Sequence, residues 1–320
     1  MSRLVLAFDL GGTNVRCGVL NEQSEILARA KTSVGSRPKP EEAVRKMKDI
    51  AQEALTQLGK QTADLACIGI GSPGPLNSQS GIVFETPNLG WKNVPLAQLL
   101  GNALGRPTFL ENDAVSACWG EFVKGAGRGT QTMFILTLGT GVGGGLIIGG
   151  KVWKGPDDIA GHLGHMIVEP HGPTQVFDNP GSVEALCSAT ACIKQAKAAA
   201  YSNPESLLAK LPPDQITGAY VNECADKGDQ PALDIFTRIG TYLGVACASI
   251  ANALNPELGV VGGGLAAAGD KIMLPLRKEL LRRALPAAGQ RLRMELAQLG
   301  DDAGIVGVAG LALQRLDGKL

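Results

Sequence analysis

The sequence predicts an α/β fold built from two related halves that face each other. Strand-like and helix-like segments alternate along the 320 residues. Two segments repeat one plan, a strand, a turn of small residues, a second strand and later a helix, and Leu10-Gly11 and Leu138-Gly139 mark the same point in it. The chain also contains 43 glycines. Average usage of roughly 7% gives about half as many, so many tight turns and close backbone approaches are expected.

The first half is predicted to begin with a hairpin. Residues 3–10 form an apolar run, a turn follows at GGTN, and residues 15–20 return as a second strand. A third strand is predicted at 25–34. A helix is predicted at 40–59, where a proline and two acids precede apolar residues at helical spacing. The segment ACIGIGSPG predicts a strand that ends in a glycine- and proline-rich loop.

The remaining elements repeat this alternation. A short helix, a strand and a helix closed by glycine are predicted at PLAQLLGNAL, RPTFLEND and DAVSACWGEFVKGAG. The second half restarts with a strand at TQTMFILTL, a turn at GTGVGG and a strand at GLIIGGKVW. Long helices and one more strand with a glycine-rich turn, GVVGGGLA, follow. The boundary between the halves is predicted near residues 112–116.

Charge and composition argue against several classes of protein. The 30 basic and 30 acidic residues balance, so no nucleic-acid or membrane-surface partner is predicted. We expect no membrane span, because no stretch of ~18 apolar residues occurs. We also expect no signal peptide. Together these expectations predict a cytoplasmic protein. The seven cysteines form no CxxC pair and are predicted to be buried free thiols in a reducing compartment.

The first glycine turn, residues 11–13, carries the elements of an anion site. Gly11 and Gly12 let backbone N–H groups approach an anion, and Thr13 adds a hydroxyl. Asp9 ends the preceding strand, where its carboxylate can meet a phosphate-bound Mg²⁺ directly or through water. A plain hairpin with an exposed aspartate is the alternative.

Two further glycine turns extend this pattern. The second glycine turn, residues 139–141, begins a GxGxxG sequence that Gly144 completes. A dinucleotide site needs a helix after these glycines, but a strand-like run follows, which favours a hairpin turn around a phosphate. The third glycine turn, residues 262–264, permits close packing on a flat group such as adenine, or is a plain strand-to-helix turn.

Three polar residues end a strand just before a helix. These are Glu111, Asn112 and Asp113 in LENDAVSACWGE. A carboxylate there either caps the helix or accepts a proton from a substrate hydroxyl. Phosphoryl transfer needs little more from side chains than such a base, a metal and positioning groups.

Five motifs, in their order and spacing, resemble those of the ROK family (repressors, open-reading-frame proteins and sugar kinases): LAFDLGGTNVRCGVL, ENDAVSACWGE, LGTGVGGGLI, AGHLGHM and VVGGG. The resemblance covers essentially the whole chain and is nearest to bacterial glucokinase-type hexose kinases. It implies a duplicated actin-like α/β fold of the hexokinase and Hsp70 ATPase type, with two lobes and a cleft between them. The small lobe is expected to comprise 1–112 plus 303–320, and the large lobe 113–302.

The resemblance also implies roles for single residues. Asp113 matches the catalytic base that takes the proton from the sugar's 6-hydroxyl. The implied sugar contacts are Gly74, Asn88, Asn112, Asp113, His165 and Glu184. The implied ATP contacts are Asp9, Gly11, Gly12, Thr13, Asn14, Arg16, Gly139, Thr140, Gly141, Gly262, Gly263 and Gly264. Asp9 is expected to meet Mg²⁺ through phosphate or water, and a homodimer is expected.

The histidine segment AGHLGHM departs from the family pattern. Relatives typically have AGEIGH, in which the glutamate and the histidine both contact sugar hydroxyls. Here His162 replaces a glutamate, which only accepts hydrogen bonds, with an imidazole that offers one donor and one acceptor when neutral. We expect His162 and His165 to contact the sugar, His162 with altered preference or weaker binding. A packing role for His165 stays open, and His171 is expected to be an ordinary loop residue.

A zinc motif of the family is also altered. Many relatives bind structural zinc through this histidine and three cysteines of CxCGxxGCxE. In this chain Gln175, Phe177, Asp178 and Ser182 stand where Cys, Cys, Gly and Cys are found. Because a structural zinc site needs about four nitrogen or sulfur ligands, no zinc is expected.

These implications predict an ATP-dependent hexose kinase acting at the 6-hydroxyl, with glucose the leading substrate and glycolysis the setting. The alternatives are a kinase for an amino sugar, an N-acetylated sugar or fructose, and a catalytically weak sugar-binding regulatory protein. A DNA-binding repressor is disfavoured because the first strand starts at residue 4 and the charge is neutral. An oxidoreductase is disfavoured because GxGxxG leads into a strand.

Overall fold

The computed structural model describes residues 3–174 and 179–320. The strands are β1 Leu4–Leu10, β2 Asn14–Leu20, β3 Ile26–Ser33, β4 Leu65–Ser72, β5 Leu76–Asn77, β6 Ile82–Thr86, β7 Trp91–Val94, β8 Thr108–Asn112, β9 Met133–Leu138, β10 Val142–Ile148, β11 Lys151–Val152, β12 Leu258–Gly262 and β13 Arg293–Leu296. The α-helices are α1 Pro40–Thr56, α2 Leu96–Leu104, α3 Asp113–Lys124, α4 Val183–Cys187, α5 Ala189–Ser202, α6 Gly218–Asp226, α7 Gln230–Leu254, α8 Asp270–Arg283, α9 Pro286–Arg291 and α10 Ala303–Leu316. The predicted alternation of strands and helices is confirmed.

The chain divides into two compact units. The first comprises Met1–Gly129, Gly145–Gly161 and Gln298–Leu320, and the second comprises Thr130–Gly144 and His162–Ala297. This division differs from the predicted lobes, which assigned α3 to the larger one. The reason is packing, since α3 lies against α10 within the first unit. The assignment to functional lobes stays a prediction.

The first unit is a five-stranded sheet with helices on both faces. Its strand order is β3-β2-β1-β4-β8, with β1 antiparallel to β2 and parallel to β4. Side chains alternate along β1, as the period of a strand requires. Leu6 and Phe8 join the core formed with α1 and α2, whereas Val5 and Ala7 pack with α10. Burial on both faces explains why β1 is apolar throughout.

Glycines allow α3 and α10 to pack backbone to backbone. A methyl group on Gly307 would overlap the carbonyl of Ser116, and one on Gly120 would overlap the carbonyl of Ala303. These contacts require glycine for closeness of approach, since neither residue has a positive φ. This close packing therefore holds α3 against α10, and α3 carries Asp113 at its first position.

The second unit surrounds one long helix. Strands β9, β12 and β13 lie parallel in the five-stranded order β11-β10-β9-β12-β13, and β10 carries the chain from this unit into the first. Helix α7 packs on α4, α5, α6 and α8. It is long and apolar enough to cross a membrane, but 56% of its apolar window is buried inside the protein, as in a core helix.

The structure corrects the prediction for residues 145–153. They form a hairpin and not one strand, because β10 ends at Ile148 and pairs with β11 through Lys151. Gly149 and Gly150 both have positive φ, of 60° and 73°, as a two-residue hairpin turn of type I′ requires and glycine readily provides. Strand β10 also starts earlier than predicted, at Val142.

Sequence reasoning also missed the short strands. The sheet β5-β6-β7 was not predicted, nor was β13. These strands have two to five residues, too few to show a period of two. The prediction for the thiols is confirmed in structure, since all seven cysteines are buried and none is in a disulfide.

Candidate active site

The first glycine turn joins β1 to β2. Gly11 N–H donates to the Asn14 carbonyl (2.9 Å), which closes the hairpin. The Thr13 carbonyl accepts from Val34 N–H (2.8 Å), so the end of β3 holds the turn. A methyl group on Gly12 would lie 3.2 Å from Cβ of Asn88. The structure thus brings this turn together with a predicted sugar contact.

Asp9 lies at the end of β1 in an unbalanced electrostatic environment. Burial raises the pKa of its carboxyl group, the Arg16 guanidinium lowers it, and the nearby Asp301 carboxylate raises it. The Arg16 Nη1 lies 4.0 Å from Asp9 and 3.0 Å from Asp301. Arg16 therefore divides its charge between two acids, and Asp9 retains negative potential that a cation would offset.

Asn112, and not a carboxylate, caps helix α3. Its side-chain oxygen accepts from Ala114 N–H (3.0 Å) and Val115 N–H (3.1 Å). The alternative that a carboxylate is the cap is therefore wrong, although Asp113 Oδ1 also accepts from Ala114 N–H (2.8 Å). With its oxygen engaged, Asn112 can offer a ligand only its NH₂ group.

Asp113 has the electrostatics of a proton acceptor. Burial is the larger cause that raises its pKa to about 6, and the negative charge of Asp9 is the next. The hydrogen bond from Ala114 N–H acts in the opposite direction. A general base works best with a pKa near the operating pH, and this carboxyl group approaches that condition while remaining partly accessible.

Two residues before Asp113, Glu111 belongs to a buried group of charges, the Glu111 network, made of Ser78, Glu111, Lys154, Asp158 and Arg315. Glu111 accepts from Lys154 Nζ (3.0 Å) and Arg315 Nη2 (3.2 Å). Lys154 also pairs with Asp158 (3.2 Å), which accepts from Ser78 N–H (2.8 Å). Two cations thus balance two anions. Glu111 Oε1 accepts from the N–H of Asn112 (2.9 Å), so the network reaches the capping residue.

Gly74 occupies a position that only glycine fits. Its φ is +92° and a methyl group would overlap the carbonyl of Glu85. This contact holds the SPGP loop after β4 against the end of β6. Thr86, the last residue of β6, packs there too, 2.8 Å from such a methyl group, and Asn88 follows two residues later. Gly74 therefore has a structural role beside its predicted one.

The second glycine turn is held from outside by helices α4 and α5. Gly139 N–H donates to the Gly141 carbonyl (2.9 Å), and the Gly139 carbonyl accepts from Ala189 N–H (2.8 Å). The Thr190 hydroxyl donates to the Thr140 carbonyl (2.7 Å). The first two residues of α5 thus hold two of the turn's three carbonyls, those of Gly139 and Thr140.

Glu184, a predicted sugar contact on α4, is 8% exposed. Its Oε2 accepts from Val142 N–H (2.8 Å), and a methyl group on Gly141 would overlap this oxygen. The Glu184 carboxylate can therefore lie against the turn only because Gly141 has no side chain. Glu184 connects the second glycine turn to the helix that follows the histidine segment.

His162 and His165 lie side by side in the second unit. Their ring centroids are 6.2 Å apart with planes tilted by 43°. Burial lowers the pKa of His162, and the neighbouring His165 lowers it further, so both effects favour the neutral imidazole. The backbone of this segment packs on β10, because a methyl group on Gly164 would overlap the Val142 carbonyl.

The third glycine turn has one residue in open space. Gly263 has a φ of +83°, and a methyl group there would lie 2.5 to 2.7 Å from backbone atoms of Leu138. Gly262 faces Ala297 at 3.2 Å. A methyl group on Gly264 would have no described atom within 4 Å. The turn therefore abuts the start of the second glycine turn, and among its three glycines Gly264 alone borders open space.

The described residues contain no group of three or more His, Cys, Asp or Glu that could hold a metal ion. Gln175, Phe177 and Asp178 of the altered zinc motif lie outside the described residues. Ser182 lies inside them and caps α4 by accepting from Ala185 N–H (3.2 Å). The prediction about zinc stays a prediction.

The sequence matches the ROK family over residues 5–315. The chain belongs to this family. The glucokinases of Halalkalibacterium halodurans and Thermotoga maritima are 34% and 35% identical to this ROK protein. Each similarity covers 98% of this chain, and 96% and 98% of the respective relative. A crystal structure of a ROK family glucokinase from Streptomyces griseus, in complex with glucose and AMPPNP, is 33% identical with a TM-score of 0.86. That match covers 97% of this chain and 99% of the other.

These comparisons confirm the predicted duplicated actin-like fold of this ROK protein. Within the first unit, Gly12 lies against Asn88, and Asp9 is close enough to raise the pKa of Asp113. Within the second unit, Glu184 meets the second glycine turn.

Several residues around the site were not predicted. Three of them are Lys154, Arg315 and Thr190, whose residue types are common on protein surfaces and give no hint of a role. Each contacts the site through a residue far away in sequence. Thr190 is the second residue of α5, which follows α4 in sequence, but no sequence signal marks it as a partner of Thr140.

Proposed function

We propose that this ROK protein is a sugar kinase that transfers a phosphoryl group from ATP to the 6-hydroxyl of glucose. The glucokinase relatives over the whole chain and the ROK glucokinase structure with glucose and AMPPNP support this proposal. The observation that carries it is Asp113, a carboxyl group with a pKa of about 6 at the start of α3, electrostatically coupled to Asp9 beside the first glycine turn.

In the proposed reaction Asp113 accepts the proton of the sugar hydroxyl. The hydroxyl oxygen forms a bond to the γ-phosphorus of ATP, the bond from that phosphorus to the bridging oxygen breaks, and ADP leaves with the electron pair. Asp113 and the NH₂ group of Asn112 bind the sugar, together with Gly74, Asn88, His162, His165 and Glu184. Positioning and charge stabilisation supply most of the rate enhancement in such transfers.

The three glycine turns are proposed to bind ATP. The phosphates are bound by two groups of residues: Asp9, Gly11, Gly12, Thr13, Asn14 and Arg16, and Gly139, Thr140 and Gly141. The adenosine end is bound by Gly262, Gly263 and Gly264. Backbone N–H groups in turns suit phosphate oxygens because they add no net charge and little bulk. The open space at Gly264 is consistent with this role.

Magnesium is proposed to act with ATP and not as a resident ion. Mg²⁺ is usually held by one or two carboxylates together with substrate phosphates, and Asp9 offers one carboxylate whose pKa burial raises. The cation would supply charge neutralisation to the phosphates, and Asp9 would hold it directly or through water. We also propose a homodimer in the cytoplasm, where a reducing environment suits seven cysteines outside any disulfide.

The test is ATP-dependent ADP release over a panel of hexoses, with Asp113→Ala as the inactive control. We expect turnover on glucose that the substitution abolishes. Turnover only on an amino sugar, an N-acetylated sugar or fructose would support a sugar kinase whose substrate is not glucose. His162 would then be the first residue to examine. No turnover on any hexose, with ATP still bound, would contradict the proposal and favour a regulatory sugar-binding role.

A further inference from the structure

The backbone of the second glycine turn is conformationally flexible by composition, but hydrogen bonds from outside the turn restrain it. Gly139 and Gly141 flank Thr140, and glycine populates several backbone regions at little cost. A turn of this composition can rotate its peptide groups unless something outside it holds them. The contacts that do so come from the start of α5, where Thr190 lies 50 residues after Thr140.

Two hydrogen bonds fix the direction of two peptide groups. The Gly139 carbonyl accepts from Ala189 N–H (2.8 Å) and the Thr140 carbonyl from the Thr190 hydroxyl (2.7 Å). In a planar trans peptide the C=O and the following N–H point in opposite directions. Because both carbonyls point toward α5, the N–H groups of Thr140 and Gly141 point away from it.

A third bond extends the same arrangement. The Gly141 carbonyl accepts from Gly139 N–H inside the turn, so the N–H of Val142 points outward and donates to Glu184 Oε2 (2.8 Å). Three consecutive peptide groups are therefore oriented by named partners. Thr140 is exposed and Gly141 is half-buried, and successive N–H groups oriented in this way in a turn suit an anion.

We propose that Thr190 is a positioning residue for the nucleotide phosphates. Its hydroxyl holds the Thr140 carbonyl against α5, so that the N–H of Gly141 is aimed at a phosphate oxygen before the nucleotide binds. Pre-orientation removes an ordering cost from binding. The inference rests on the proposed use of ATP by the second glycine turn, and it predicts that Thr190 affects the phosphate end of the nucleotide and leaves the adenosine end and the sugar unaffected.

The test compares Thr190→Val, which removes the hydroxyl but keeps the shape, with Thr190→Ser, which keeps the hydroxyl. Thr241→Val is the matched control, because the Thr241 hydroxyl also donates to a backbone carbonyl (2.8 Å), that of Thr237 within α7. Calorimetry with AMPPNP and with adenosine gives the two affinities for each variant. Steady-state assays give KM for ATP and for glucose.

We expect Thr190→Val to weaken AMPPNP binding and raise KM for ATP about five-fold, the usual effect of one neutral hydrogen bond. Adenosine binding and KM for glucose should stay within about two-fold of the wild type, and Thr190→Ser and Thr241→Val should resemble the wild type. Equal weakening of AMPPNP and adenosine, or unchanged AMPPNP binding in Thr190→Val, would overturn the inference. The binding data decide the inference, and hexose turnover by the wild type decides the proposed function.

Discussion

At the scale of single residues, the local environment sets the pKa and the hydrogen-bonding capacity of each side chain in the candidate site. Asp9 and Asp113 are both aspartates near turns, yet burial raises both pKa values, and the charge of Asp9 raises that of Asp113 further. Asn112 caps a helix with its oxygen and keeps its NH₂ group for a ligand. The residue type therefore limits each role, and the surroundings select it.

The first prediction concerns the pH dependence of catalysis. Asp113 must be deprotonated to accept a proton, and burial and Asp9 raise its pKa to about 6. Since the active form lies above this pKa, kcat/KM for glucose should fall as the pH decreases through about 6 and level off above about 7. Initial rates over a pH series measure this limb, with a coupling-enzyme control at each pH. A flat profile between about pH 5 and 7 would contradict the assigned role.

The second prediction concerns the replacement at His162. A glutamate accepts two hydrogen bonds from adjacent hydroxyls, whereas neutral imidazole accepts one. If glucose is the substrate, His162→Glu should lower KM for glucose about five-fold by adding one hydrogen bond, with KM for ATP nearly unchanged. His171→Glu, at an exposed loop position, is the control with the same charge change. An unchanged KM for every hexose tested would remove His162 from the sugar site.

At the scale of elements, turns and helix ends position the candidate site. The start of α3 receives its cap from the last residue of β8, and the start of α5 holds the second glycine turn. Helix N-termini suit such places because their first N–H groups lack partners inside the helix. Each element thus contributes directional groups at its end and apolar residues along its length.

The third prediction separates the two roles of Asn112. Asn112→Ala removes the cap of α3 and should lower the free energy of unfolding by about 1 kcal/mol. Asn112→Asp keeps a capping oxygen and should retain most of that stability, but it loses the NH₂ donor. Both variants should raise KM for glucose if this donor binds sugar. Urea denaturation and steady-state kinetics measure the two effects, and a normal KM in Asn112→Asp would leave Asn112 only its capping role.

At the scale of the whole molecule, segments far apart in sequence meet in the first unit. The Glu111 network joins the loop after β5, the end of β8, the segment after β11 and the last helix. The side chains of Glu111, Lys154 and Arg315 are only 4%, 17% and 11% exposed. Such burial means that each charge depends on the others, because an unpaired ion in the interior is costly.

The fourth prediction follows from that dependence. Glu111→Gln leaves two buried cations with one anion and should lower the free energy of unfolding by about 3–5 kcal/mol. The control is Glu223→Gln, which breaks an exposed pair with Lys227 and should have a far smaller effect, because solvent screens exposed pairs. Chemical denaturation of both variants tests the difference. A loss below about 1 kcal/mol for Glu111→Gln would show that the network does not stabilise the unit.

The sequence by itself determined the main elements and the motifs. Apolar runs predicted β1 and β9, helical spacing predicted α1, and glycine turns located the first and second candidate phosphate sites. These features were predictable because they depend on neighbours within a few residues. The hairpin at Gly149 was missed for a related reason, since an apolar run interrupted by two glycines is compatible with either one strand or two.

Only the tertiary structure decided which distant residues act together. Thr190 holds a carbonyl fifty residues away, and Arg315 reaches Glu111 from the other end of the chain. Local sequence contains no signal for such pairs, because a hydrogen bond depends on distance and direction in space. The pKa of Asp113 is likewise a property of burial and of Asp9. The order of residues therefore determines which groups are present, whereas packing determines their partners and their acidity.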